Sequence, residues 1–148
     1  MNRIVVWCWP KDPSLVPIET LEKSGEVEVV AWFSRGKKKT QLTKHFAYQP
    51  ELLLEEMKAH PPSKNAIPDI PEGELAVEFQ HFHDLYSRVN YSKGQDYFQH
   101  LNLFHLYYQY FTSMLTEGKV DTVIFFSAPH AGPDMILYRA AKRLGVRT

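Results

Sequence analysis

Two unbroken apolar runs, Ile4–Trp9 and the Val123–Phe126 centre of Val120–Ser127, constrain the fold more than any other feature of this chain. A strand with one face in water alternates apolar and polar residues. A short β-branched and aromatic run without alternation belongs to a strand covered on both faces, as in a parallel sheet. Between them lies a third strand, Val27–Ser34, with Val27, Val29, Ala31 and Phe33 expected on one face and Glu28, Val30 and Trp32 on the other. Parallel strands need a crossover. Leu15–Lys23 supplies a helix, with Asp12 or Ser14 to cap it and Ser24-Gly25 to stop it. Strand, helix and strand form a right-handed βαβ unit, and the premise for all that follows is that the three strands lie side by side and parallel.

The rest of the chain is consistent with that frame. Pro50–His60 reads as a helix with Leu52, Leu53 and Met57 inward, and Leu54 beside them. Pro61, Pro62, Pro68 and Pro71 mark a proline-rich excursion over about 61–73 that cannot be regular structure. Ala76–Tyr86 is compatible with a helix or an extended segment, and helix is the preferred reading. Gln95–Glu117 is the strongest helix: Tyr97, Leu101, Phe104, Tyr108, Phe111 and Leu115 share one face, and Leu103, Tyr107, Tyr110 and Met114 a second. A helix apolar on two faces is largely buried or meets a neighbouring domain. Gly118 ends it, and Asp134–Leu144 is a further helix stopped by Gly145. Val146-Arg147-Thr148 reads as the start of another strand, which predicts a fold cut at residue 148. The expected fold class is α/β, a three-layer Rossmann-like domain over 1–148 with a mostly parallel central sheet.

Composition narrows the function. Lys plus Arg and Asp plus Glu both total 17 in 148 residues, so the positive excess of a nucleic-acid binder is missing. The lone cysteine, Cys8, fits a reducing, cytoplasmic setting, and its place in a core strand makes it an inert thiol rather than a nucleophile. No apolar stretch reaches the roughly 18 residues of a membrane span. The high aromatic content, 14%, is read as core filling.

In open α/β sheets ligands bind beyond the carboxyl ends of the strands. Three loops qualify: Trp9-Pro10-Lys11-Asp12, Ser34-Arg35-Gly36-Lys37, and Ser127 to Asp134. The third is the strongest candidate. His130 has the near-neutral pKa of a general base or of a partner for a ligand hydroxyl. Asp134 is placed to orient it, to accept hydrogen bonds from a sugar or to cap the helix. Backbone amides at that helix start suit an anion, although a local carboxylate competes for them. The structural alternative is that Pro129 and Gly132 shape a turn and Asp134 is a cap. Lys11, Arg35, Lys37, Ser127 and Gly132 complete the candidate substrate-binding set. Arg35–Lys39 is not a Walker motif, and no glycine-rich dinucleotide fingerprint follows the first strand. His81 with His83, and His100 with His105, lack the four-residue spacing of a helical zinc site, so no metal and no cofactor is expected. There is no Gly-x-Ser-x-Gly elbow.

One segment carries a family likeness. In Thr122–Thr148 an apolar strand leads through Pro129-His130 and Asp134 to Leu137-Tyr138 and Ala140-Ala141-Lys142-Arg143-Leu144-Gly145-Val146. It resembles the amino-terminal domain of bacterial capsule and surface polysaccharide biosynthesis proteins of glycosyltransferase-like, GT-B architecture. The resemblance covers fewer than about 30 residues, with the long aromatic helix and the first two strands similar in order. It implies an acceptor-side domain whose partners are a sugar acceptor or nucleotide-sugar and a carboxy-terminal donor domain. Without that domain the chain is expected to be inactive, and His130 and Asp134 would face the cleft. The alternatives are a stand-alone α/β module that binds a phosphorylated metabolite, and an interaction domain using Tyr107 and Tyr110.

Overall fold

The computed structural model describes residues 1–8, 16–34, 45–47, 50–59, 61, 70–89 and 92–148. Four parallel strands form one open sheet in the order β3-β2-β1-β4. They are β1 (Asn2–Cys8), β2 (Val27–Ser34), β3 (His45–Ala47) and β4 (Thr122–Phe125). The expected juxtaposition holds, with β1 flanked by β2 and β4, both parallel to it. The short β3, unforeseen from sequence, extends the sheet beyond β2. Past β4, Arg147 makes a parallel bridge with Thr122, so the final residues do pair with the sheet.

Chain direction explains the layers. From β1 through β2 to β3 the chain steps one way; it then crosses to β4 on the other side of β1 and steps the opposite way to Arg147. Right-handed crossovers running in opposite directions deposit their helices on opposite faces. Helix α1 (Val16–Lys23) covers one face, burying Ile18 beside Ile4, Val6, Cys8, Val29 and Trp32. The other face carries α2 (Pro50–Ala59), α3 (Glu72–Tyr86), α4 (Tyr97–Glu117) and α5 (Pro133–Arg143), which enclose Val5, Trp7, Ala31, Phe33 and Val123.

The faces of β2 differ from simple alternation. Register slips between Ile4 and Val5 of β1, so that Ile4 pairs with Val29 and Val5 with Ala31. Val30 is the extra residue of a bulge, which reverses the side-chain sense beyond it. Val27, Val29 and Trp32 therefore face α1, while Val30, Ala31 and Phe33 face the larger core. Gly118 receives the bulge: a Cβ there would lie 2.9 Å from Val30 Cγ1 and 2.5 Å from the Met114 carbonyl oxygen.

Helix α4 is held at its start by a capping box. The Asp96 carboxylate accepts from the Gln99 amide and the Gln99 side chain accepts from the Asp96 amide, each at 2.8 Å. Tyr107 and Tyr110, placed on a second apolar face, are buried inside the domain, as are Phe104, Tyr108, Phe111 and Leu115. That answers why both faces are apolar: α3 and α5 lie against α4. Tyr107 and Tyr110 thus give no exposed interface. Helix α3 begins at Glu72, four residues before the expected Ala76, with Pro71 at its cap.

Candidate functional site

The switch in winding direction falls between β1 and β4, and a doubly wound sheet opens a crevice at the carboxyl ends of the strands on either side of such a switch. Beyond β4 the Phe126 amide still donates to the Trp7 carbonyl at 3.1 Å, so the two strands leave the sheet together. The chain then enters the loop Ser127–Gly132, which ends at α5.

The carboxylate of Asp134 organises that loop. One oxygen accepts from the His130 amide at 2.9 Å. The other accepts from the Ala131 and Met135 amides, each at 2.8 Å. Asp134 is only 1% exposed, and its negative charge lies at the positive end of the α5 dipole. Pro133 occupies the first helical position, where a missing N–H costs nothing. The Ile136 amide is taken by the Gly132 carbonyl. The anion that the helix start would attract is therefore its own aspartate.

Gly132 is the second fixed point. Its φ of +102° lies where a side chain is strained, and a Cβ would come within 3.0 Å of Tyr86 Cδ2 and 3.2 Å of Phe82 Cε2. The glycine lets the loop lie on two rings of α3. This residue, expected among the substrate-binding set, is buried against α3, and Ser127 is half-buried.

His130 is the exposed member, its side chain 53% accessible. Its Nδ1 donates to the Ala128 carbonyl at 2.7 Å. A carbonyl only accepts, so Nδ1 carries the proton and Nε2 is the basic nitrogen of the neutral ring. Asp134 does not bond the imidazole; its nearer oxygen is 4.0 Å from Nδ1. It orients His130 through the backbone. The loop therefore holds the His130 ring by its Nδ1 proton and its backbone amide by Asp134. Lys11, Arg35 and Lys37 lie outside the described residues.

A second polar cluster joins α3, α4 and α5 at the opposite end of α5. Arg143 donates to Glu78 at 2.6 Å, to Glu74 at 3.0 Å and to the Tyr108 hydroxyl at 3.1 Å, while that hydroxyl donates to Glu78 at 3.0 Å. Burial, then the Glu78 charge, push the Tyr108 hydroxyl well above its ordinary pKa. Burial works against the Arg143 charge, but its bonds to Glu78, Glu74 and Tyr108 outweigh it and raise the pKa. Every member of this cluster has a partner, which marks it as a structural clamp. Histidine contacts also differ from the sequence pairing: His83 meets His100, with their Nδ1 atoms 2.8 Å apart. Among the described residues no group of three or more His, Cys, Asp or Glu converges as a metal site, and no helix is long and apolar enough to cross a membrane.

Fold and loop together define an open parallel α/β domain whose loop Ser127–Gly132 lies at the carboxyl end of β4. No family model, no curated protein and no solved structure matches the chain.

Proposed function

We propose that the loop beyond β4 binds a hydroxyl-rich ligand, and that the chain serves as the acceptor-side domain of a glycosyltransferase-like protein of surface polysaccharide biosynthesis. The observation that carries this reading is the occupation of the His130, Ala131 and Met135 amides by the Asp134 carboxylate, with the His130 side chain exposed beside it. A phosphate at this helix start would have to displace a buried anion. A sugar hydroxyl can donate to an imidazole nitrogen, which is also what a general base for glycosyl transfer to an acceptor hydroxyl requires. This chemistry favours a sugar acceptor over the phosphorylated metabolite of the stand-alone alternative. The family likeness of Thr122–Thr148 supports the same reading, and a donor domain is the partner it calls for.

The test is a titration of the labelled chain, followed by amide shifts, with a panel of oligosaccharides, nucleotide-sugars and inorganic phosphate. The expected result is a saccharide that moves the amides of Phe126 to Gly132, with affinity about tenfold weaker in His130→Ala, the scale of one lost hydrogen bond. Shifts caused by phosphate alone would transfer the assignment to the metabolite-binding alternative. Equal saccharide affinity in the parent and His130→Ala would remove the histidine from the site.

A further inference from the structure

The contact between His83 and His100 was invisible in the sequence spacing, and its chemistry is unusual. His83 is half-buried on α3, while His100 is 2% exposed on α4. With their Nδ1 atoms 2.8 Å apart, one nitrogen must carry a proton and the other must present its lone pair. Two imidazolium rings would set N–H against N–H. The contact therefore exists only while at least one ring is neutral.

The surroundings leave His100 little help with a charge. Phe79, His83 and Tyr86 of α3 and Tyr97 of α4 pack around the pair: Tyr86 lies edge-on to His100 at 5.1 Å between centroids, and Tyr97 lies 5.3 Å from His83. His100 Nε2 is buried without a hydrogen-bond partner among the described residues. Of the charged groups, Asp96 at the cap of α4 favours protonation, but its carboxylate is bonded to the Gln99 amide. Burial, then His83, lower the His100 pKa and outweigh Asp96.

The pair lies beside the functional loop. Tyr86, against His100, is the ring on which Gly132 rests. We propose that His83 and His100 form a single-proton latch between α3 and α4, and that acid opens it and loosens the Tyr86 seat of the loop carrying His130. The latch stands independently of what the loop binds.

Its sign follows from linkage. His100 favours its neutral form when folded, so its contribution is complete above the ordinary histidine value, about 6.5, and is lost as pH falls below it. One extra proton taken up on opening lowers the folded-to-unfolded ratio by up to tenfold per pH unit.

The primary experiment needs no substitution. In the 15N-labelled chain, nitrogen–nitrogen coupling across the hydrogen bond between the two Nδ1 atoms is expected at pH 8 and should vanish on acidification, together with loss of hydrogen-exchange protection at Ala131, whose amide is bonded to Asp134. Denaturant unfolding from pH 8 to 5 of the parent and of His100→Phe supplies the second measurement. The parent should lose stability across the window more steeply than His100→Phe, in which the ring is kept and the proton site is removed. Absence of the coupling at pH 8, or unchanged Ala131 protection after its loss, overturns the proposal. If His100→Phe does not fold, His100→Gln replaces it: the same pH slope as the parent would sink the latch.

Discussion

At its amino-terminal end α3 grips its neighbours with charge, and at its carboxyl-terminal end it grips them with rings. Glu74 and Glu78 hold Arg143, at the last turn of α5, through the guanidinium and the Tyr108 hydroxyl. Two turns along, Phe82 and Tyr86 receive Gly132 at the first turn of α5, with His83 against His100 beside them. The same helix pair thus fixes both ends of α5 by opposite means. The ionic end has its donors and acceptors matched. Tyr108 and Arg143 ordinarily titrate at about 10 and above, and both are shifted upward, so their protonated forms persist and would be lost only as pH rises far above neutrality. The histidine end holds one orphaned nitrogen and a group with a lowered pKa, so its contribution declines on acidification. A buried contact that is fully satisfied makes a clamp; one that is half satisfied makes a sensor.

The contrast can be broken most forcefully at the ionic end. Glu78→Ala leaves the buried Tyr108 hydroxyl and Arg143 without their shared acceptor, and should cost about 3 kcal/mol in denaturant unfolding, the lower end for breaking a buried pair because Arg143 is partly solvated. The triple replacement Glu78→Met, Arg143→Met and Tyr108→Phe should recover most of that loss, since no buried charge is then stranded. A triple variant no more stable than Glu78→Ala would show that the ions, rather than their completeness, hold this end. At the ring end, Gly132→Ala combines a positive φ with a 3.0 Å approach to Tyr86, and about 2 kcal/mol is expected by the same measurement. Asp134→Asn comes next. The amide retains one acceptor but turns an N–H toward the His130 amide, for about 1.5 kcal/mol and faster exchange at His130 and Ala131. The smallest effect is Phe98→Ser. Phe98 is 72% exposed, so stability should stay within about 0.5 kcal/mol of the parent; a larger loss would mean that α4 relies on this ring.

Much of the fold is legible because it rests on local pattern. The unbroken apolar run of β1 announces two covered faces, whereas that of β4 is covered only in part, with Val123 buried and Ile124, Phe125 and Phe126 half-buried; the three-and-four spacing in α4 announces a helix buried on more than one side. The candidate loop is legible for the same reason: a buried strand followed by Pro129, His130, Gly132 and Asp134 has few other uses than a shaped turn into a helix. Three features were hidden. The Val30 bulge arises from fitting β2 against β1, and period-two alternation cannot register an added residue. The His83–His100 contact joins residues 17 apart, while spacing rules look three or four residues along one helix. Gly132 reads as an ordinary turn glycine until the rings of α3 lie across it.

The sequence by itself determined that these strands would be parallel, that β1 would be buried and that α5 would follow a shaped loop, because hydrophobic period and turn chemistry act over a few neighbouring residues. Only the tertiary structure decided which histidine meets which, that Asp134 binds backbone rather than the His130 ring, and that one helix pair secures α5 at both ends. Those outcomes depend on how α3, α4 and α5 dock, and docking is set by shape and hydrogen-bond matching between segments far apart in the chain.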